Sequence, residues 1–404
     1  MSDILLDDLV LPNGARFRNR FFKSAMSETM ADQHHNPNRE LITLYEHWSK
    51  QSIGVLVSGN VMVDRRYLGE PGNVVLDTKS DLSLFSDWAK VGKKHNTPIL
   101  LQINHPGKQM YRTINQEPIA PSAIPISETS ASAFRHPRQM TLTEIEEAKE
   151  KFVTAALLAK EAGFSGVQIH AAHGYLINQF LSPADNQRTD NYGGSLENRM
   201  RFLVEIFQRM RNIVGTRFTI ALKLNATDFK EQGFDFEDCK QVVKTMSQLG
   251  IDLIEISGGN YEAPVFGSEH EKGASFLSYA VALSDLTDIP IVSTGGFRKS
   301  QQMKEALTNG VSMIGLARPF VLNARLVQDY QKTGNLNLST PRLTTKISQL
   351  DKSLGPIIGV SYYEEQMKRL GIGKDVKIDT NAWPYLLQTE SHINKKTQVL
   401  SMKT

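Results

Sequence analysis

Eight short apolar runs, each followed by a longer stretch with helical spacing, constrain this chain more than any other feature. The runs are Arg20–Met26, Gly54–Ser58, Ile99–Asn104, Gly166–His170, Thr219–Leu224, Leu253–Ser257, Ile291–Ser293 and Met313–Leu316. Most are continuous rather than alternating in hydrophobicity, the pattern of strands buried on both faces. The fourth unit shows the rhythm best. Thr141-Leu142-Thr143-Glu144 offers a capping box, Ile145, Ala148, Phe152 and Ala156 keep helical spacing, and Gly163 ends the helix. Gly166-Val167-Gln168-Ile169-His170 follows as a buried strand with a polar end. Eight β–α units in series predict an α/β fold, a closed (β/α)8 TIM barrel, with an open doubly wound sheet as the competitor. No G-x-G-x-x-G stands at the first strand–helix turn, which weighs against a dinucleotide-binding open sheet.

In a barrel, catalytic groups gather on the loops at the C-terminal strand ends. This chain places Ser27 after the first run, Asn60 after the second and His105 after the third. His170 and His173 follow the fourth and Asn225 the fifth. Gly258-Gly259, Gly295-Gly296 and Arg318 follow the sixth, seventh and eighth. Asn115–Arg138, rich in Pro, Ser and Ala, reads as a surface excursion near the site mouth. Residues 1–340 are assigned to the barrel. Residues 341–404, with a helix-like Ser361–Leu370 and the pair Trp383-Pro384, form a C-terminal extension expected to pack on the barrel or on a partner subunit.

Composition narrows the partners. Among 404 residues, 46 Lys and Arg against 43 Asp and Glu leave a net charge of only +3, with no basic patch interleaved with aromatics, so no nucleic-acid partner is expected. Cys239 is the only cysteine, which excludes a disulfide within the chain and a Cys-rich zinc or iron–sulfur site. The N-terminus is acidic and lacks the apolar core of a signal peptide, and no apolar run approaches the roughly 18 residues of a membrane helix. The expected location is the cytoplasm, with no membrane partner.

Three constellations carry chemistry. In His170-Ala171-Ala172-His173-Gly174-Tyr175, two imidazoles at one strand end can direct N–H donors at a carbonyl oxygen, and a phenol beside them can deliver a proton. Metal ligation and plain structural histidines are the alternatives. Val292-Ser293-Thr294-Gly295-Gly296 and Gly315-Leu316-Ala317-Arg318 follow strands seven and eight, a recurrent phosphate site in barrels, although glycines also make tight turns. Lys223 interrupts an apolar strand and must meet either an electron-rich ligand, such as the anionic edge of a reduced flavin, or a carboxylate across the barrel. Gln102 suits a flavin's pyrimidine edge or a core hydrogen bond, and Ser27 suits flavin O4 or a turn.

These residues sit in stretches that resemble the Old Yellow Enzyme family of FMN-dependent ene-reductases, over about residues 4–335. The likeness is carried by Asn19–Met26, Leu101–Gly107, Ala120–Ser122, Ala162–Leu176, Phe180–Asn186 and Arg188–Arg199. The resemblance implies FMN as cofactor and NADPH or NADH as reductant. It implies that Ser24, Ala25, Met26 and Ser27 border the flavin, with Asn60 beside its ring. Gln102 and Lys223 would hold the pyrimidine edge and ribityl chain, and Gly295, Gly296, Ala317 and Arg318 the phosphate. His170 and His173 would bind the activating oxygen of an electrophilic alkene, an α,β-unsaturated carbonyl or nitro compound, and Tyr175 would donate the proton. The family's cycle is ping-pong, so the nicotinamide leaves before the alkene enters.

Three departures stand out. Lys223 occupies a position where the family usually has Arg, Ser27 one where Thr or Cys is commoner, and Thr29 one where paired-histidine relatives often carry a substrate-facing Tyr. Competing functions are an FMN barrel that oxidises an amine or hydroxy acid, and a flavin-binding barrel with a structural role. Relatives are often dimers or larger, so a homo-oligomer is expected by analogy.

Overall fold

The computed structural model describes residues 3–112, 114, 117–126, 134–259 and 274–387, with the backbone alone at 352–354, 356 and 357. Parts of the excursion, of the loop after the sixth strand and of the extension therefore lie outside the described residues. Eight parallel strands close on themselves: β1 Phe21–Lys23, β2 Val55–Val57, β3 Ile99–Asn104, β4 Gly166–Ala171, β5 Thr219–Asn225, β6 Leu253–Ser257, β7 Ile291–Thr294 and β8 Met313–Leu316. Each pairs with its sequence neighbours, and β8 returns to β1 through Ile314 opposite Phe21 and Leu316 opposite Lys23. The open-sheet competitor is thereby excluded. β1 is shorter than its apolar run: Ser24 still donates its N–H to the Leu316 carbonyl oxygen (2.9 Å), and Ala25 and Met26 then enter the loop above it.

Helices α1 Arg39–Ser49, α2 Leu82–Lys93, α3 Leu142–Glu161, α4 Leu176–Leu181, α5 Leu196–Val214, α6 Phe236–Gln248, α7 Leu277–Ser284, α8 Ser300–Thr308, α9 Arg318–Leu322 and α10 Leu326–Thr333 connect the strands or follow the last of them. α3 begins at Thr141 with both halves of the expected capping box in place, and Gly163 beyond its end takes φ +88°.

The period-2 alternation of strands divides the apolar residues into two bodies. Ile254, Ile256, Ile220, Leu222 and Leu224 face the helices. Phe22, Val55, Val57, Leu100, Ala221, Leu253, Val292 and Met313 fill the lower barrel interior instead. That interior is sealed from below by Leu11 and Phe17. Phe17 belongs to, and Leu11 directly follows, an antiparallel pair, Leu9–Val10 with Arg16–Phe17, that turns at Asn13-Gly14, where Gly14 has φ +87°. Asn13 Nδ2 ties this plug to Thr219 Oγ1 at the foot of β5 (2.9 Å).

The helix anticipated at Ser361–Leu370 is longer, starting at Ser348 and ending at Gly371 as α11. It packs against α1 and α9. Its Ile358, Tyr362, Tyr363 and Met367 belong to the same outer apolar body as the barrel helices. A Cβ at Gly371 would meet the Glu40 carbonyl oxygen at 2.6 Å, so only glycine lets the end of α11 approach α1 this closely.

Phe17 is 1% exposed and walled in by strand residues. Phe17→Ala is expected to cost about 3–5 kcal/mol, read as a lower urea midpoint. An unchanged midpoint would show that the plug contributes no packing energy.

Candidate active site

Above the apolar interior the inward positions turn polar. Continuing the alternation, Ser24, Gln102, Gln168, Lys223, Glu255 and Thr294 form one layer, and all six are buried. They are linked. Gln102 Nε2 donates to Gln168 Oε1 (2.7 Å), and Gln168 Nε2 donates to Glu255 Oε2 (2.7 Å). Thr294 Oγ1 donates to Glu255 Oε1 (2.8 Å), and Lys223 Nζ lies 3.1 Å from the same oxygen. Ser24 Oγ and Thr294 Oγ1 are 3.1 Å apart. Lys223 therefore meets a carboxylate from the neighbouring strand, one of the two partners its position allowed. Lys23, by contrast, points out of the barrel, 3.6 Å from Glu28 and over the Trp48 ring at 4.3 Å.

At the next level up, His170, His173 and Tyr175 come together. The His170 ring lies edge-on to both, with centroids 5.1 Å from His173 and 4.8 Å from Tyr175. The Ala172 N–H donates to His170 Nδ1 (3.3 Å), which leaves the proton of a neutral ring on Nε2. His173 Nε2 is 2.8 Å from Ser257 Oγ at the end of β6. Burial holds both imidazoles well below the usual histidine range, His170 further through His173 and Lys223, and His173 through Lys223. Both are neutral at pH 7. Among the described residues no group of three or more His, Cys, Asp or Glu converges as metal ligands would.

The backbone here is forced. His173 has φ +60°, a left-handed conformation that costs a non-glycine residue energy. The turn is held by its neighbours: the His173 N–H donates to Asn225 Oδ1 (3.1 Å), the Gly174 N–H to Asn178 Oδ1 (2.7 Å), and Gln109 Nε2 to the His173 carbonyl (3.0 Å). Tyr175 then caps α4 in an extended conformation, 8% exposed.

The remaining sequence-identified residues ring the same mouth. Ala25, Met26 and Ser27 are half-buried above β1, and Asn60 is half-buried after β2. A Cβ at Gly59 would meet the Met26 carbonyl oxygen at 2.6 Å, which brings these two loops together. Gly295 (φ +106°) and Gly296 (φ +78°) occupy the left-handed region after β7, and Ala317 and Arg318 begin α9 after β8. Thr29 (φ +50°) packs closely on Gly72, where a Cβ would meet the Thr29 carbonyl oxygen at 2.7 Å.

The Ser27 hydroxyl donates to Glu70 Oε1. Glu70 comes from the loop after β2, and near it stands Glu364 of α11, whose carboxyl is pushed up to about 8 by burial and then by Glu70's charge. The extension thus reaches the rim of the site.

The arrangement fits an FMN. The polar layer offers amide, hydroxyl and ammonium groups at one height. Gly315 keeps the wall bare, since a Cβ there would lie 1.9 Å from Thr294 Oγ1 and 2.8 Å from Ser24 Oγ. The buried Asn104 carboxamide, at the end of β3, has neither of its polar atoms hydrogen-bonded. Such an orphan is expensive unless a ligand completes it.

Comparison with known proteins decides the lineage. Residues 11–337 match the model of the NADH:flavin oxidoreductase / NADH oxidase family. The chain belongs to that family. It is 36% identical over 351 residues to the NADH-dependent flavin oxidoreductase iliE of Hypocrea jecorina, covering 79% of this chain and 86% of that one. It is 33% identical over 320 residues to an NADPH dehydrogenase of Geobacillus, covering 77% and 88%. Among solved structures, the Old Yellow Enzyme homologue of Zymomonas mobilis superposes with a TM-score of 0.71 at 23% identity, covering 84% and 95%. This family member is an FMN-dependent NAD(P)H oxidoreductase on the Old Yellow Enzyme barrel.

The buried histidines set an acid limit. Burial lowers His105, whose Nδ1 accepts from the Gly107 N–H (3.1 Å), to about 4 despite the nearby Asp64 charge. A base with a depressed folded pKa binds protons more readily when unfolded. Its stability contribution is complete above about 6.5, falls as pH drops through that value, and for His105 has lost roughly 3 kcal/mol near pH 4. The thermal midpoint should therefore fall from pH 6.5 to 4, and His105→Gln should flatten the slope. An equally steep slope in the variant would assign the acid sensitivity elsewhere.

Proposed function

We propose that this flavoenzyme reduces electron-poor alkenes, α,β-unsaturated carbonyl or nitro compounds. The observation that carries the reading is the cluster of two neutral imidazoles and a phenol at the end of β4, above the polar layer of the barrel. When bound, FMN supplies hydride chemistry, accepting hydride from NADH or NADPH and giving it to an electron-poor carbon. Ser24, Ala25, Met26, Ser27 and Asn60 would border the ring. Gln102 and Lys223 would face its pyrimidine edge. Gly295, Gly296, Ala317 and Arg318 would hold the phosphate, where left-handed glycines let backbone N–H groups approach closely.

The protein's own task is to polarise and to protonate. His170 offers its Nε2 proton to the activating oxygen of the substrate. His173 Nε2 lies 2.8 Å from the Ser257 hydroxyl; were that hydroxyl the donor, the ring would carry its proton on Nδ1 as a second donor. Neutral rings suit this work, because they stabilise developing oxyanion charge without drawing a counter-ion into the site. Tyr175 stands beside His170 and delivers its phenolic proton to the carbon next to the activating group. Thr29, smaller than a tyrosine, would leave room at the rim for substituted substrates.

The test is a titration of the purified yellow protein. Anaerobic NADH or NADPH should bleach it, and 2-cyclohexenone should restore the colour. Bleached protein that an enone cannot reoxidise would discard alkene reduction while keeping the flavin. Tyr175→Phe should slow the enone step roughly 100-fold or more and leave bleaching by NAD(P)H intact. His170→Ala should weaken binding of phenolic ligands with FMN retained.

A further inference from the structure

Glu255 has no place in the chemistry described so far, yet it is the hub of the polar layer. It is 0% exposed, lies midway along β6, and takes three donors: Gln168 Nε2 at 2.7 Å, Thr294 Oγ1 at 2.8 Å and Lys223 Nζ at 3.1 Å. Register places it beside Lys223, its partner position on β5. Through Gln168 it also orients the Gln102 carboxamide. A carboxylate this deep is costly unless its partners compensate it, and here three do. The consequence is electrostatic. Lys223, the one cation in the layer, does not present a full positive charge to whatever lies above it.

We propose that Glu255 is a positioning residue that fixes the Lys223 ammonium and the Gln102 carboxamide and offsets most of the lysine's charge, thereby lowering the electron affinity of the bound flavin. The inference rests on the placement of the flavin's pyrimidine edge over Lys223 and Gln102 proposed above. A cation at that edge stabilises the reduced, anionic flavin, and a carboxylate behind the cation opposes it. The counter-charge keeps reduced flavin a strong hydride donor, whereas a bare lysine would favour holding the electrons.

Midpoint potentials of the FMN-loaded protein test this. Glu255→Gln should shift the reduction equilibrium toward reduced flavin at least tenfold, about 30 mV for a two-electron couple. Lys223→Gln should shift it the opposite way, and the double variant should return toward the unsubstituted protein, since both charges are gone. A merely structural role would lower thermal stability without moving the potential. If Lys223→Gln shifts the potential and Glu255→Gln does not, the role given to Glu255 is wrong and the flavin placement stands. If neither moves it while FMN stays bound, the placement itself is wrong. Should Glu255→Gln fail to fold, Glu255→Asp keeps the charge but draws it back from Lys223. It should move the potential in the same direction by less, and no movement would overturn the proposal.

Discussion

The structure depends on a carboxylate sealed inside a barrel. Glu255 has apolar packing below it, where Leu253 and its neighbours fill the interior, and the reaction chamber above. Its cost is met only if strands β4, β5 and β7 all present their donors at its height. Strand register, and with it the level at which the interior changes from apolar to polar, is therefore fixed by hydrogen bonding as well as by packing. That level is the floor of the site. Everything above it, from the Ser257 hydroxyl on His173 to the Asn225 carboxamide under the β4 turn, stands on strands whose heights the network sets.

A second constraint acts one residue further up. His173 is held in a left-handed conformation by hydrogen bonds from three separate segments. The strain turns the chain sharply after β4, so that residues 170, 173 and 175, which an extended strand would carry apart, face one space. Neutral imidazoles, a phenol and a strained turn form one device, because relaxing the turn would separate the groups.

Much of this was legible in the sequence. Strands buried on both faces carry continuous apolar runs, and β3, β6 and β8 fall where their runs begin and end. Thr141 and Glu144 announce the start of α3 because the capping box is a local interaction. Glu255 was open to inference as well: Lys223 and Glu255 each occupy an inward position on adjacent strands, so the lysine's carboxylate could have been named. The Asn13-Gly14 turn likewise marks a hairpin, but strands of two residues show no alternation. Glu70 and Glu364 carried no comparable signal. One lies on an irregular loop and the other on a helix nearly 300 residues later, and only tertiary packing brings them beside Ser27.

The hairpin plug also bears on how the chain folds. Leu11 and Phe17 precede every strand of the barrel in the chain, but the walls they dock against belong to strands distributed as far as Met313. The plug cannot find its seat until the ring has closed, so the earliest segment of the barrel is among the last to settle. Contacts of such sequence separation make folding slow and tie the two ends of the barrel into one cooperative unit. A lesion at either end should therefore be felt throughout, with the interior losing its seal as a whole rather than strand by strand.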